Sequence, residues 1–185
     1  MYSIMGLTIM EKEKIEQQVT TLLNQYGYSM ENDTYVDVVD FTKKLGFIVG
    51  TVDLGDSEDG FIIIQPSKTS NISSRHDRII GVNSKLSLEA KRFVIAHEFA
   101  HSVLHYKPGG VYLHRENIKG KNADENDADY FAAALLMPRK AFQKKYEELM
   151  GNGLNENAAC MQLASTFGVP LESASRRISE VVVKE

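Results

Sequence analysis

Two histidines four residues apart, His97 and His101, constrain this sequence more than any other feature, and Glu98 lies between them. On an α-helix, residues four apart lie one turn above each other on the same face. Two imidazoles in that position can share one metal ion, and Glu98 then falls beside the open coordination position. A carboxylate there can take a proton from water on the metal. The pattern His-Glu-x-x-His therefore requires a helix over 97–101 and predicts hydrolytic metal chemistry.

The residues around the motif are typical of a helix. Ser87 is predicted as its N-cap, and Glu89 suits the positive first turn. Pro108 and the two glycines after it are expected to end the helix. The alternative is that both histidines are structural residues satisfied by packing and hydrogen bonds. Apolar residues recur at helical spacing on the motif-bearing side: Leu88, Phe93, Ala96, Ala100 and Leu104.

Zinc needs at least a third protein ligand, and an acidic segment downstream offers candidates. Glu125 and Asp129 are four residues apart on a second predicted helix, so both point the same way. Glu125 is a candidate to complete the metal triad, and Asp129 is a candidate to accept the ring N–H of His97. Asp124 is predicted as the N-cap, and Asp127 is turned about 200° from Glu125 and faces elsewhere. The alternative is an acidic cluster that only complements a helix N-terminus.

Three further side chains are candidates to stabilise a tetrahedral oxyanion, and spacing does not choose among them: Tyr106, Tyr112 and His114. His105 continues the four-residue series from His97 and His101. A helix rises about 12 Å over eight residues, so the three histidines do not meet at one ion. We therefore expect a structural or supporting role for His105.

The two motif segments together resemble the ImmA/IrrE family of metallopeptidases. The resemblance implies a zincin-like fold, metal ligands at His97, His101 and Glu125, and a catalytic base at Glu98. It also implies an intracellular zinc endopeptidase that cleaves a helix-turn-helix repressor of the XRE type and so relieves repression of mobile-element or stress genes. The same ligands accommodate Mn²⁺ or Fe²⁺. The residues that carry the resemblance are His97-Glu98-Phe99-Ala100-His101, Glu125-x-x-Ala128-Asp129-x-Phe131-Ala132-Ala133-x-Leu135-Leu136-Met137-Pro138, and the lead-in stretches 79–83 and 91–96.

The sequence before the motif predicts two helices and then strands. The helices cover about 11–26 and 36–45, and each is followed by a glycine. The polar stretch 55–60 is predicted as a hairpin loop between the first two strands. We expect an α+β fold in which a small three-stranded sheet packs on the motif helix. The β-branched and aromatic runs that predict the strands are 47–52, 61–65 and 78–82.

The sequence after the motif is helical, and we expect a metallopeptidase domain over 1–150 and a helical appendage over 151–185 packed on it. Helices are predicted from Pro138 to about Met150, from the cap Asn155 to about 167, and over about 171–181. The last two resemble a helix-turn-helix unit. The charges from Asn155 onward, which are Arg176, Arg177 and Lys184 against four glutamates, do not favour binding to nucleic acid.

Composition limits the cellular compartment and the classes of partner that we expect for this chain. The net charge is −4 without long charged runs, which favours neither nucleic acid nor an anionic membrane as a partner. Cys160 is the only cysteine and is expected to be a core residue in a reducing cytoplasm. No run approaches the roughly 20 apolar residues that cross a bilayer. Two other interpretations are a non-catalytic metal protein that captures a repressor, and a DNA-binding regulator that uses the C-terminal helices.

Overall fold

The computed structural model describes residues 7–29, 31–66, 76–107, 112–115 and 123–182. Within these ranges it contains seven helices and four strands, so the predicted α+β class is confirmed. In chain order they are α1 (Ile9–Gln25), α2 (Val38–Lys44), β1 (Ile48–Val52), β2 (Gly60–Pro66), β3 (His76–Asn83), α3 (Leu88–Leu104), β4 (Tyr112–Arg115), α4 (Ala123–Leu136), α5 (Arg139–Gly151), α6 (Glu156–Phe167) and α7 (Leu171–Val181).

Helix α3 carries the motif and begins at the predicted cap. The Ser87 side chain accepts a hydrogen bond from the Ala90 N–H at 3.2 Å, which satisfies one of the free donors of the first turn. The helix ends at Leu104, with His105 as its C-cap, and so stops before Pro108. The predicted cap of α6 is also present, because Asn155 accepts from the Ala158 N–H at 2.9 Å. Pro108 itself lies outside the described residues.

The sheet contains the three predicted strands and a fourth, β4, that the sequence did not indicate. The strand order is β1-β3-β2-β4. β3 pairs in parallel with β1, and β2 pairs antiparallel with both β3 and β4. The predicted hairpin between β1 and β2 is therefore wrong, because β3 is inserted between these two strands. Loop 53–59 crosses the end of β3 instead of closing a tight turn.

Asn83, the last residue of β3, explains why the loop crosses there. Its side-chain amide donates to the backbone carbonyls of Gly55 and Glu58 at 2.9 and 2.8 Å. Its backbone N–H donates to the carbonyl of Asp59 at 2.8 Å. One buried side chain thus supplies donors to two backbone carbonyls of the loop. The loop is held at the end of β3, where β2 begins.

Phe99 fixes the rotation of the motif helix about its axis. Its ring packs edge-on against Phe41 of α2, Phe47 before β1 and Phe131 of α4, with centroid distances of 5.7, 5.8 and 6.1 Å. Residues two apart on a helix point about 200° away from each other. Burial of Phe99 in this aromatic cluster therefore turns His97 toward the opposite side of α3.

Candidate metal centre

Helices α3 and α4 bring two histidines and a glutamate to one point. The Nε2 atoms of His97 and His101 are 3.1 Å apart. Oε2 of Glu125 lies 3.1 Å from His97 Nε2 and 3.6 Å from His101 Nε2. Both imidazoles are buried, and the carboxylate is largely buried. Three potential ligand atoms from two helices thus converge, and these residues could hold a metal ion.

The separation of the three atoms matches the size of a small divalent ion. A triangle with these sides has a circumradius of about 1.9 Å, just below the zinc–nitrogen and zinc–oxygen bond lengths of about 2.0–2.2 Å. Two imidazole nitrogens and one carboxylate oxygen are also a common donor set of catalytic zinc sites. The residues present therefore fit the metal that the motif predicts.

Glu98 follows His97 in α3 and is completely buried. Its neighbour in the sheet is Gly60, the first residue of β2. A methyl group built on Gly60 would stand 3.4 Å from Oε1 of Glu98 and only 2.4 Å from Cγ1 of Val94. The absence of a side chain at this position lets the sheet approach the helix at the motif. Glu98 is thereby enclosed between α3 and β2.

Asp129 stands behind His97, one helical turn after Glu125. Its Oδ1 lies 3.1 Å from Nδ1 of His97. An ionised carboxylate can only accept, so the ring donates from Nδ1 and directs the Nε2 lone pair toward His101 and Glu125. Oδ2 of the same carboxylate lies 3.3 Å from a guanidinium nitrogen of Arg176, in α7. Nothing in the local sequence predicts this last contact, because α4 and α7 are far apart in the chain.

The other acidic residues of α4 lie outside the cluster. Asp124 was predicted as the N-cap, but α4 begins at Ala123 and Asp124 lies in its first turn. His105 donates from Nε2 to the Asp124 carbonyl at 3.2 Å, and so it links the end of α3 to the start of α4. Burial raises the pKa of Asp127. His105 thus supports the helix that carries Glu125.

The three candidate oxyanion donors stay predictions. Tyr106 follows α3 and packs against the hydrophobic core with its hydroxyl buried. Tyr112 and His114 belong to β4, and their side chains lie outside the described part of the chain.

Helices α6 and α7 are held against the metal-bearing helices by two buried arginines. Arg92 of α3 donates from Nε to the Gly168 carbonyl at 2.9 Å, at the C-terminus of α6. Burial lowers the pKa of Arg92. Arg177 of α7 is fully buried, donates to the Met137 carbonyl at 3.1 Å, and pairs with Glu16 of α1 at 2.8 Å. The helix-turn-helix-like segment is thus packed on the rest of the described chain.

Together, the fold and the cluster define a class of protein. A helical His-Glu-x-x-His motif on a small mixed sheet, with a glutamate from the next helix beside both histidines, is a zincin-like α+β arrangement. The Peptidase M78 family model, described as the IrrE N-terminal-like domain, matches residues 58–179. The chain belongs to this peptidase family, and the predicted ImmA/IrrE relationship is confirmed.

A solved structure of similar fold is a Mycobacterium tuberculosis transcriptional regulator. It aligns with a TM-score of 0.56 and 17% sequence identity, over 90% of this chain and 46% of the regulator. This chain therefore spans less than half the length of that protein. No curated protein sequence gives a significant match. Among the described residues, none of the helices has the length and apolar character needed to span a membrane.

Proposed function

We propose that this chain is a zinc-dependent endopeptidase with Glu98 as its general base. One observation carries the proposal: the ligand atoms of His97, His101 and Glu125 lie 3.1 to 3.6 Å apart, with a buried glutamate adjacent in sequence to His97. A structural zinc site usually has four protein ligands, whereas three ligands leave a position for water and substrate. The family membership supports peptide hydrolysis as the reaction.

Each residue of the site has a defined task in this mechanism. Zn²⁺ held by the three ligands would supply Lewis-acid activation of the scissile carbonyl and of the attacking water. Glu98 accepts the proton of that water and passes it to the leaving amine. Asp129 keeps His97 in the tautomer and orientation that present Nε2 to the centre. Because Glu98 is enclosed by α3 and β2, its carboxylate is held in place for both proton transfers.

The proposed substrate is a helix-turn-helix repressor, and the proposed compartment is the cytoplasm. The substrate follows from the resemblance to the ImmA/IrrE family, and the family membership supports a protein substrate. A single cysteine, which forms no disulfide within the chain, suits a reducing compartment. Direct DNA binding is not part of the proposal, because Arg177 is fully buried and Arg176 pairs with Asp129 and Glu180.

The test is co-expression of the chain with helix-turn-helix repressors from the same genome, starting with any encoded beside its gene, with the intact mass of each repressor as the readout. Wild type is expected to cut the repressor at one position. Glu98→Gln is expected to keep bound zinc and to lose at least about 100-fold in cleavage rate. His101→Ala is expected to lose both zinc and cleavage.

Glu89→Gln is the matched control, since it makes the same chemical change at an exposed position of the same helix. It should cleave like wild type. Full cleavage by Glu98→Gln would overturn the assignment of the base. Relief of repression at one chain per repressor, without a new fragment, would instead show capture of the repressor without proteolysis.

A further inference from the structure

We infer that Arg176 of α7 is a positioning residue that orients His97 through Asp129. The inference rests on the proposed function only in taking His97 as a metal ligand. Each oxygen of the Asp129 carboxylate accepts from a different side chain: Oδ1 from Nδ1 of His97 at 3.1 Å, and Oδ2 from Nη1 of Arg176 at 3.3 Å. Two donors on two oxygens fix the plane of a carboxylate more strictly than one donor does.

The guanidinium of Arg176 is itself held in a defined orientation. Its Nε donates to Oε1 of Glu180 at 3.1 Å, one turn further along α7, while Nη1 is directed at Asp129. The side chains of Glu180 and Asp129 are only 9% and 16% exposed. Arg176 therefore contacts two largely buried carboxylates at once, one on α4 and one on its own helix.

Helix α7 provides a firm base for this contact. The residue after Arg176 is the buried Arg177, which donates to the Met137 carbonyl at the end of α4 and pairs with Glu16. The chain from α7 to His97 thus consists of packed and hydrogen-bonded groups, with Arg176 as its link. Loss of Arg176 should let Asp129 turn, and His97 then loses the partner that orients its ring.

The contact between Arg176 and Asp129 is partly open to solvent, so its strength should depend on salt concentration. The Arg176 side chain is 44% exposed and lines a cavity of about 320 Å³ together with Phe93 of α3 and Glu172 of α7. Dissolved ions reach the guanidinium there, so its attraction to Asp129 weakens as salt concentration rises. A packing role would not depend on salt in this way.

The experiment is a competition titration of the metal-free full chain with Zn²⁺, as wild type, Arg176→Ala and Arg176→Lys, at low and high salt. Arg176→Ala is expected to raise the zinc Kd about two- to fivefold at low salt, the range of an exposed ion pair, and less at high salt. Arg176→Lys keeps the charge, so its zinc Kd should lie between those of wild type and Arg176→Ala. Cobalt-loaded Arg176→Ala should also show a shifted visible spectrum, because the His97 ring is reoriented.

Two further variants serve as references for the zinc Kd of Arg176→Ala. Asp129→Asn removes the direct partner of His97 and is expected to weaken zinc binding more, about 10- to 100-fold. Lys44→Ala is the control for loss of a surface cation, because Lys44 is 51% exposed and pairs with Asp40 one turn earlier on α2, away from the site. Equal zinc Kd values and cobalt spectra for wild type and Arg176→Ala would overturn the positioning role alone. A wild-type chain that binds no zinc would overturn the proposed metal centre.

Discussion

Glu98 lies next to Gly60, and the spacing between them depends on the absence of a side chain. Val94 is one helical turn before Glu98, and its Cγ1 occupies the space that a methyl group on Gly60 would need, 2.4 Å away. The carbonyl of Gly81 on β3 would be 3.1 Å from the same methyl group. Neither the backbone of Gly81 nor the β-branched side chain of Val94 can move far, so β2 and α3 would have to separate.

Gly60→Ala is therefore expected to destabilise the chain by about 1–3 kcal/mol and to displace Glu98 from its position. Urea unfolding measures the first effect, and the cleavage rate relative to zinc content measures the second. Gly50→Ala on β1 is the control, because nothing lies within 4 Å of a methyl group there. Equal destabilisation by both substitutions would show that the contact of position 60 with α3 does not set the cost.

At the scale of single residues, most of the candidate metal centre was predictable from the sequence. His97 and His101 lie on one helix, and Glu125 and Asp129 lie on another, so four-residue spacing alone places each pair on one face. Sequence spacing does not specify which face of α4 packs on which face of α3. In the structure, the contact between the buried rings of Phe99 and Phe131 sets that packing. Arg176 was not predictable, since nothing local marks a surface arginine as the partner of a distant carboxylate.

Among the elements, the end of α6 is held by a charge from the motif helix. Arg92 donates to the carbonyls of Gly168, Val36 and Phe167 at 2.9, 2.9 and 3.4 Å. A cation at the C-terminus of a helix also complements the negative end of the helix dipole. Its guanidinium stacks 4.0 Å from the ring of Tyr35, which covers it from solvent. Arg92 thus joins α3, α6 and the segment before α2.

Arg92→Ala is expected to lower the free energy of unfolding by about 3 kcal/mol, because the buried carbonyls lose their charged donor. Hydrogen exchange should accelerate most at the turn between α6 and α7. Lys91→Ala, at the neighbouring position, should change the free energy of unfolding by less than about 0.5 kcal/mol. It should leave hydrogen exchange at the turn between α6 and α7 unchanged. A loss of stability spread evenly over all helices would contradict a local role for Arg92.

Strand pairing was the part of the fold that the sequence predicted wrongly. The glycine-rich acidic stretch 55–60 has the composition of a hairpin loop, and proximity in sequence favours pairing of β1 with β2. The structure instead pairs both strands with β3. Asn83 decides this arrangement by bonding to the loop, and a lone asparagine carries no sequence signal for such a role. β4 is only four residues long and was missed for lack of a periodic pattern.

For the whole molecule, the division into 1–150 and 151–185 remains a prediction that truncation can test. Helices α6 and α7 bury Leu163, Phe167 and Ile178, and Arg177 reaches across to α1. A chain ending at residue 150 would expose the apolar surfaces that these side chains cover, and Glu16 would lose its buried partner.

The chain ending at residue 150 is therefore expected to unfold without a cooperative urea transition and to bind zinc weakly. A chain ending after Val182 keeps α7 and should behave like the full chain. Circular dichroism and zinc titration of both chains provide the measurement. Cooperative unfolding and full zinc affinity of the shorter chain would show that residues 151–185 are a separable appendage.

The insertion of β3 between β1 and β2 has a consequence for the order in which the chain becomes structured during synthesis. Neither β1 nor β2 has its partner until the ribosome has made residues 76–83. Until then two strands rich in isoleucine and valine are exposed together without a template. Nascent chains in which β2 has left the ribosome and β3 has not are therefore the species that should need chaperones, since unpaired apolar strands associate with one another.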